Sequence, residues 1–382
     1  MTCTVDKALL TSALARCAAI SGTRNTLPIL SNVLLAFGPD LLLLMATDLD
    51  LGYETVVEVT DCDLTGDATQ STTIHAKKLH QSVQACPEST VTIHLDGEAH
   101  IITLTSGTVK FSLSGIDPAE FPGLPPVAGE ELTVKGDHLV DLFLGVSYAQ
   151  ATDETKYNCC GVYLHATSGE SDTLTAVATD GHRMGINHLE LPDSCGLTPL
   201  SPLLVKGIII PTKGVSALVK IKSTGPVVLN VGENSVCIAT DNEKLHIRLT
   251  DAEFPAYRRM VVVDHDQTLS FKLLSLTQAV ERCRVMSDKD SYGVLLTAED
   301  NSVSLVADLR QIGGHAEDRV GGVIAVNPFA VRLNISYLLQ ALGSMVGNGV
   351  TIICQSSGLA PLQLQGSTGT GPIAIIMPIR GV

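Results

Sequence analysis

The tetrapeptide Ala119-Glu120-Phe121-Pro122 returns 133 residues later as Ala252-Glu253-Phe254-Pro255. A second marker keeps nearly the same interval: Ala46-Thr47-Asp48 lies 132 residues before Ala178-Thr179-Asp180, and Asp308 of Ala307-Asp308 follows Asp180 by 128. Each marker follows a run of apolar or β-forming residues (Leu41 to Met45, Leu174 to Val177, Val303 to Val306), so the three mark equivalent strand ends. A period near 130 far exceeds the roughly 20 to 50 residues of solenoid repeats and matches the size of an independently cored domain. Three similar domains in tandem are therefore expected: 1–127, 128–265 and 266–382. The breaker cluster Phe121-Pro-Gly-Leu-Pro-Pro126 with Gly129 marks the first linker, and Val263-Asp-His-Asp-Gln267 the second.

The chain is 45% hydrophobic with positive mean hydropathy, which gives ample material for several cores and excludes disorder. The longest apolar stretches, Leu27 to Phe37 and Leu41 to Ala46, are broken at Pro39-Asp40 and fall short of the roughly 18 residues a membrane span needs. Asp6 and Lys7 come early with no basic, apolar and small-residue zones, so no cleaved export signal and no membrane partner are expected, and the cytoplasm is the expected location. Ten cysteines are scattered, none in a Cys-x-x-Cys pair; only Cys159 and Cys160 are neighbours. They read as reduced core thiols, and no metal or cofactor is expected.

Alternating runs such as Thr90-Val-Thr-Ile-His-Leu95, Ile101-Ile-Thr-Leu-Thr105 and Val109-Lys-Phe-Ser-Leu113 predict strands, with reversals at Asp96-Gly97, Ser106-Gly107, Gly232 to Ser235 and Glu299 to Asn301. Helical spacing appears in six windows, two per repeat: about 7–20, 75–86, 135–150, 211–222, 273–287 and 332–346. In the first, Leu9, Leu10, Ala13, Leu14, Cys17 and Ile20 form the apolar stripe; in the sixth, Ile335, Leu338, Leu339 and Leu342 do. The expected fold class is α+β, antiparallel sheets with two helices per domain on one sheet face.

A net charge of −15 argues against a polyanionic partner, but the six windows together carry +8 and leave −23 for the rest. Helices turned to one shared side would make that side basic, the pattern of a surface aimed at a polyanion. Solvated helix faces are also rich in Lys and Arg, so charge alone leaves the two readings even.

Four blocks carry a resemblance to a known family: Arg24-Asn-Thr-Leu-Pro-Ile-Leu-Ser-Asn32, Val177-Ala-Thr-Asp-Gly-His-Arg-Met184, Glu253-Phe-Pro-Ala-Tyr-Arg-Arg259 and Met377-Pro-Ile-Arg380. In order and spacing they resemble the bacterial DNA polymerase III β subunit, the sliding clamp, over essentially the whole chain. The resemblance implies a DNA clamp fold of three alike domains per chain. It also implies a head-to-tail homodimeric ring that encircles double-stranded DNA without sequence specificity and acts as a processivity factor. Arg24, Tyr157 and Lys213 fall on the family's DNA-facing positions, and Lys77, Lys78 and Lys220 of the helical windows complete the candidate phosphate contacts. Thr212 stands where the family often has a second basic residue.

A protein-binding groove is also implied, made by Cys159, Thr179, Gly181, His182, Arg183, Met184, Pro255, Arg259, Met260, Ile375, Met377, Pro378, Ile379 and Arg380. It would serve DNA polymerase III, the clamp loader and repair polymerases in turn through a short peptide motif. Met184, Met260, Met377 and Ile379 supply a deformable floor, and His182 and Arg183 a hydrogen-bonding rim. Cys159 replaces a leucine common in the family. Ring closure would pair the edge strand holding Phe111 and Leu113 with the partner's third domain near Val285 and Met286.

Two rival readings stand beside this one. Asp180, His182 and the Cys159-Cys160 pair could form a hydrolase triad, but no nucleophile elbow accompanies them, so no enzyme is expected. Phosphate loops are missing too, which leaves ring-opening ATP to a separate loader. A divergent or duplicate clamp with a specialised role, marked by Cys159, Thr212 and the Gly381-Val382 extension, keeps the fold and changes the role.

Overall fold

The computed structural model describes residues 1–382 except 23–26, 64–69, 128, 168–171, 192–201, 222, 262–264, 288–292, 300–301, 310–312, 325–328 and 380–382. The first repeat runs β1 (Thr2–Asp6), α1 (Lys7–Ile20), β2 (Asn32–Phe37), β3 (Leu41–Thr47), β4 (Leu51–Asp63), β5 (Gln70–His75), α2 (Ala76–Gln84), β6 (Thr90–Asp96), β7 (Ile101–Ser106) and β8 (Val109–Ser114). The second runs β9 (Glu130–Lys135), α3 (Gly136–Ser147), β10 (Gly161–Thr167), β11 (Thr173–Thr179), β12 (Arg183–Glu190), α4 (Pro202–Lys206), β13 (Ile208–Pro211), α5 (Thr212–Leu218), β14 (Pro226–Val231), β15 (Ser235–Ala239) and β16 (Glu243–Arg248). The third runs β17 (Gln267–Lys272), α6 (Leu273–Arg284), β18 (Gly293–Glu299), β19 (Ser302–Leu309), β20 (Gly314–Gly321), β21 (Val323–Ile324), β22 (Phe329–Asn334), α7 (Ile335–Ser344), β23 (Gly349–Cys354), β24 (Leu362–Gly366) and β25 (Ile373–Ile376). Apart from α4 and β21, which the sequence did not announce, the order is strand, helix, four strands, helix, three strands, three times over.

Pairing repeats as faithfully as order, and every strand pairing among the described residues is antiparallel. The first and last three strands of each repeat give β1-β6-β7-β8, β9-β14-β15-β16 and β17-β23-β24-β25; the middle four give β4-β3-β2-β5, β12-β11-β10-β13 and β20-β19-β18-β22. One helix of each repeat packs on the same two strand equivalents, α1 on β3 and β4, α3 on β11 and β12, α6 on β19 and β20, and each meets its second helix. Ala46, Ala178 and Ala307 are equivalent by register, opposite Tyr53, Gly185 and Ala316. The expected match of Asp308 to Asp180 is corrected by one place: Asp308 holds the position of Thr47 and Thr179, and its carboxylate shares a 2.7 Å hydrogen bond with His315 Nδ1.

The repeats are joined by backbone pairing. Strand β16 of the second pairs with β4 of the first, setting Leu245 against Tyr53 and Ile247 against Leu51. Strand β25 of the third pairs with β12 of the second in the same way, setting Ile375 against Met184 and Ile376 against Arg183. Compact units consequently do not follow the repeats. One unit, Met1–Lys135 with Ser223–Arg248, holds the 12-stranded sheet with α1 and α2; the other, Gly136–Lys222 with Leu249–Val382, holds the nine- and four-stranded sheets with α3 to α7. Leu14, Leu35, Leu42 and Leu44 are among the core residues of the first, and Leu276, Val280, Leu305 and Leu338 of the second.

Local chemistry sets the helix boundaries. Asp6 caps α1 by accepting from Leu9 N–H at 2.9 Å, and Asn334 caps α7 by accepting from Ser336 N–H and Tyr337 N–H. Leu10, Ala13, Leu14, Cys17 and Ile20 of α1 are buried as expected, whereas Leu9, placed on the stripe, is 55% exposed. Helix α1 fills its window, whereas the helices of the other five windows are shorter than expected, and the six together are less basic. Lys135 and Arg332 lie on strands, Lys220 in the turn after α5, Lys222 outside the described residues, and α3 carries Asp137 and Asp141 with no Lys or Arg. Arg16 of α1 is paired with Glu243. The positive charge assigned to six helices therefore concentrates on fewer of them, with Lys77 and Lys78 exposed on α2.

Because Leu245 is buried at the β16–β4 junction, Leu245→Ala is expected to cost about 2 to 5 kcal/mol in urea unfolding. Leu41→Ala, at a position 44% exposed, should stay within about 0.5 kcal/mol of the parent. Equal losses at the two positions would contradict a core at that junction.

Candidate functional site

Threonine and aspartate build the turn between β11 and β12. The Thr179 hydroxyl donates to Arg183 O (2.7 Å) and accepts from Gly181 N–H (3.1 Å); Asp180 Oδ1 accepts from His182 N–H (2.9 Å) and Arg183 N–H (3.1 Å). The turn between β3 and β4 repeats this bond for bond. Thr47 donates to Leu51 O (2.7 Å) and accepts from Leu49 N–H (3.0 Å), while Asp48 Oδ1 accepts from Asp50 N–H (3.1 Å) and Leu51 N–H (2.7 Å). Both turns need a positive φ at their third residue: Gly181 has φ 90°, and Leu49 accepts 78°. What differs is the decoration: His182 and Arg183 stand where the first repeat has Asp50 and Leu51.

Arg183 is held inward. Its Nε donates to Asp180 Oδ2 (2.9 Å), its Nη1 is bonded to Gln340 of α7, and its guanidinium lies 4.3 Å from the Tyr337 ring centroid and 5.7 Å from that of Tyr148. With the side chain only 10% exposed, Arg183 clamps the turn to α7 and is not placed as a rim donor. His182 is exposed beside it. Lys156 Nζ donates to Asp180 O (2.8 Å) from the other side, and Asn158 Nδ2 ties the 3₁₀ turn Glu154–Cys159 to Glu253 O (3.1 Å).

The C-terminal strand completes the site. Beyond the β25–β12 pairing, Met377 N–H donates to His182 O (2.9 Å) and Ile379 N–H to Arg332 O (2.8 Å). Met184 and Ile375 are buried in one apolar cluster with Val177, Ile186, Phe254 and Tyr257, and Met260 packs against it. Met184 thus supports the floor from beneath, while Met260, Met377, Pro378, Ile379 and Pro255 are half-buried and Arg259 is exposed. Cys159 is buried, and burial, with Cys160 and Asp180 adding to it, pushes its thiol above the ordinary range. Arg380 lies outside the described residues.

Tyr257 anchors the Tyr257–Met260 turn through a 2.7 Å hydrogen bond shared with His165 Nε2, and Tyr163 stacks on Phe254 at 4.8 Å. Burial, reinforced by the charge of Arg258, pulls His165 down to about 4. The hydrolase reading finds no geometry here. Asp180 spends its carboxylate on backbone N–H groups and Arg183, Cys159 faces inward, and the Cys160 thiol donates to Asp153 O (3.3 Å). Among the described residues no group of three His, Cys, Asp or Glu side chains is placed to hold a metal ion.

Of the residues proposed to face DNA, Lys77, Lys78, Lys213, Lys220 and Tyr157 are all exposed, Tyr157 by 63%. Thr212 N–H donates to Cys160 O (3.1 Å), which sets the first turn of α5, with Lys213, beside the turn that carries Tyr157. Arg24 lies outside the described residues. Phe111 and Leu113 are half-buried on β8, an edge of the 12-stranded sheet. Val285 and Met286 follow α6 and are not on a strand; the edge beside them is β20, where a Cβ on Gly314 would come within 2.9 Å of Met286 Sδ. No helix among the described residues is long and apolar enough to cross a membrane.

Two outcomes follow from the anchors of the turn. Arg183→Ala should lower the free energy of unfolding by roughly 1 to 3 kcal/mol, since it removes the donor to Asp180 Oδ2 and the contact with the Tyr337 ring while the two backbone N–H bonds to Oδ1 remain; a variant as stable as the parent in chemical denaturation would remove the clamp role. The His165 effect has a definite sign. The folded imidazole titrates near 4 and the unfolded one near 6.5, so the unfolded state takes up the proton first. Stability should be full above pH 6.5 and fall toward pH 4. His165→Gln should flatten that part of the profile, and an unchanged slope would contradict the assignment.

Family models match the chain in three consecutive blocks: DNA polymerase III beta subunit N-terminal domain over residues 1–125, central domain over 133–256 and C-terminal domain over 258–380. The chain is 28% identical to the beta sliding clamp of Synechocystis over 97% of both chains, and 27% identical to that of Escherichia coli K12 over 99% of both. In structure it is similar to a sliding clamp of Bartonella birtlesii bound to griselimycin, at TM-score 0.89 and 27% identity over the full length of both chains. It is likewise similar to the Caulobacter crescentus beta sliding clamp, at TM-score 0.88 and 26% identity over 100% of this chain and 99% of that one. The chain belongs to the DNA polymerase III beta subunit family, the DNA sliding clamps.

Proposed function

We propose that two copies of this chain close head to tail into a ring around duplex DNA and tether the replicative polymerase to it. The observation that carries this reading is the identity of the free edges. Strand β8 is the first-repeat equivalent of β16 and β25, and β20 is the third-repeat equivalent of β4 and β12. Each internal junction joins one strand of the first kind to one of the second, and β8 and β20 are what remains. Extending the registers sets Phe111 opposite Ala316 and Lys110 opposite Glu317, the counterparts of Leu245 with Tyr53 and Lys244 with Glu54. Lys244 Nζ lies 3.0 Å from Glu54 Oε1, so the inferred contact reuses an ion pair already present inside the chain. Leu113 falls opposite Gly314, which Met286 flanks.

A closed ring needs no affinity for DNA. Sequence-blind phosphate binding by itself is typically only about 10⁻⁴ to 10⁻⁶ M at physiological salt. Weak contacts from Arg24, Lys77, Lys78, Tyr157, Lys213 and Lys220 would let the ring slide, and threading would prevent escape. The chain is not an enzyme, and its three domains divide at about 127 and 265. It works in the cytoplasm, and ATP-driven opening belongs to a separate clamp loader. Partner peptides, from DNA polymerase III, the loader and repair polymerases, would lie on Met260, Met377, Pro378 and Ile379 above Met184, with His182 and Arg259 supplying polar contacts. Thr179, Gly181, Arg183 and Ile375 shape that groove from below, and buried Cys159 limits it at one edge.

The test has two arms. Loaded onto a closed circle, the protein should be retained, and linearisation should release it; equal retention on both would contradict encirclement. Lys110→Glu should weaken the dimer on the order of tenfold, since two symmetric interfaces each exchange an attraction for a repulsion. Adding Glu317→Lys in the same chain should restore it. Failure of the double variant to recover in sedimentation would contradict the register.

A further inference from the structure

Strand β1 joins two parts of the 12-stranded sheet: β8, β7 and β6 lie on one side of it and β4 with its neighbours on the other. The β1–β4 joint is short and bulged. Thr2 pairs with Asp63, Cys3 with Cys62 and Thr4 with Asp61, after which the register shifts to Val5 with Val59. Two cysteines therefore stand directly opposite at the joint.

Hydrogen bonding says which kind of pair this is. Leu95 N–H donates to Met1 O at 2.9 Å, so Met1 points its backbone groups at β6. Backbone polar groups alternate sides along a strand, so Cys3 also bonds toward β6 and faces Cys62 as a non-hydrogen-bonded pair. Side chains agree: Thr2 Oγ1 meets His94 Nδ1 (3.0 Å) and Thr4 Oγ1 meets Thr92 Oγ1 (3.2 Å), the close approach such pairs show on the β6 side. Opposite residues in a non-hydrogen-bonded pair have Cα atoms about 4.5 Å apart and share one sheet face. That separation lies inside the range of about 4.4 to 6.8 Å that a disulfide spans.

We propose that Cys3 and Cys62 form a reversible disulfide that fastens β1 to β4, made by exchange with a small-molecule disulfide. Cys62 is half-buried and takes the first step, while Cys3 is 1% exposed and out of reach of the reagent. The Cys62 thiolate attacks one sulfur of the reagent and expels the other half as a thiolate, leaving a mixed disulfide. Cys3, having lost its proton to solvent, then attacks the Cys62 sulfur and releases the second half. The protein gives up two electrons and two protons, and one reagent disulfide becomes two thiols. Burial pushes Cys3 up to about 12, and burial with Asp61 and Asp63 raises Cys62. Thiolate is therefore scarce near neutrality, and exchange is slow.

The full-length native protein is incubated with oxidised glutathione, remaining thiols are capped, and the digest is read by mass spectrometry. Expected is a Cys3 peptide linked to a Cys62 peptide, two hydrogen masses lighter than the sum and separated again by dithiothreitol. Cys3→Ser should instead accumulate a glutathione adduct on Cys62, and Cys62→Ser should leave Cys3 unmodified. A parent protein that stops at the Cys62 adduct, takes up nothing, or links either residue to a different cysteine would overturn the proposal.

Discussion

Unpaired backbone at a sheet edge is the constraint on which this structure depends. Each repeat ends in one strand that needs a neighbour and presents another that can serve as one. Within the chain the need is met twice, β16 on β4 and β25 on β12. A linear array of three such repeats must end with one edge of each kind open, and an exposed apolar edge invites uncontrolled association. Head-to-tail closure by a second copy satisfies both edges with contacts the chain already uses, which is why the fold and the proposed assembly are one argument.

The candidate groove is a by-product of such a junction. Where β25 joins β12, the chain runs on past the pairing, and Met377 and Ile379 continue the hydrogen bonding on His182 and Arg332. The last residues are thus laid beside the turn that carries His182. The first junction shares the turn geometry, with Leu49 and Asp50 in place of Gly181 and His182, and repeats the first of these bonds as Arg248 N–H to Asp50 O at 2.8 Å; with Leu51 in place of Arg183, it has no counterpart of the Arg183 clamp among the described residues. One scaffold thus gives a plain junction once and a decorated one once.

Much of this was legible in the sequence. Repeated Ala-Glu-Phe-Pro and Ala-Thr-Asp gave the tandem plan, since a turn that must satisfy the same N–H groups selects the same threonine and aspartate. Helix windows held because apolar spacing and side-chain caps at Asp6 and Asn334 are local. Less was legible wherever a partner is distant in sequence. Arg183 read as a rim donor, because neither Tyr148 nor Gln340 is signalled by its surroundings. Met184 read as one of four equivalent floor residues, and only its register against Ile375 sets it beneath the other three. The third-domain edge read only as lying near Val285 and Met286, and strand order is what identifies β20 as the strand beside them. The charge expectation overshot because windows drawn from spacing ran past the helix ends and took in Lys135 and Arg332.

Backbone amide hydrogen exchange of Val109–Ser114 and Gly314–Gly321, followed as the protein is diluted, tests the central claim most directly. Shared edges predict that alternate amides in both strands are protected together at high concentration and lose protection together as the dimer dissociates, while β16 and β25 stay protected throughout. A dimer whose β8 and β20 amides exchange as freely as those of the monomer would contradict the account.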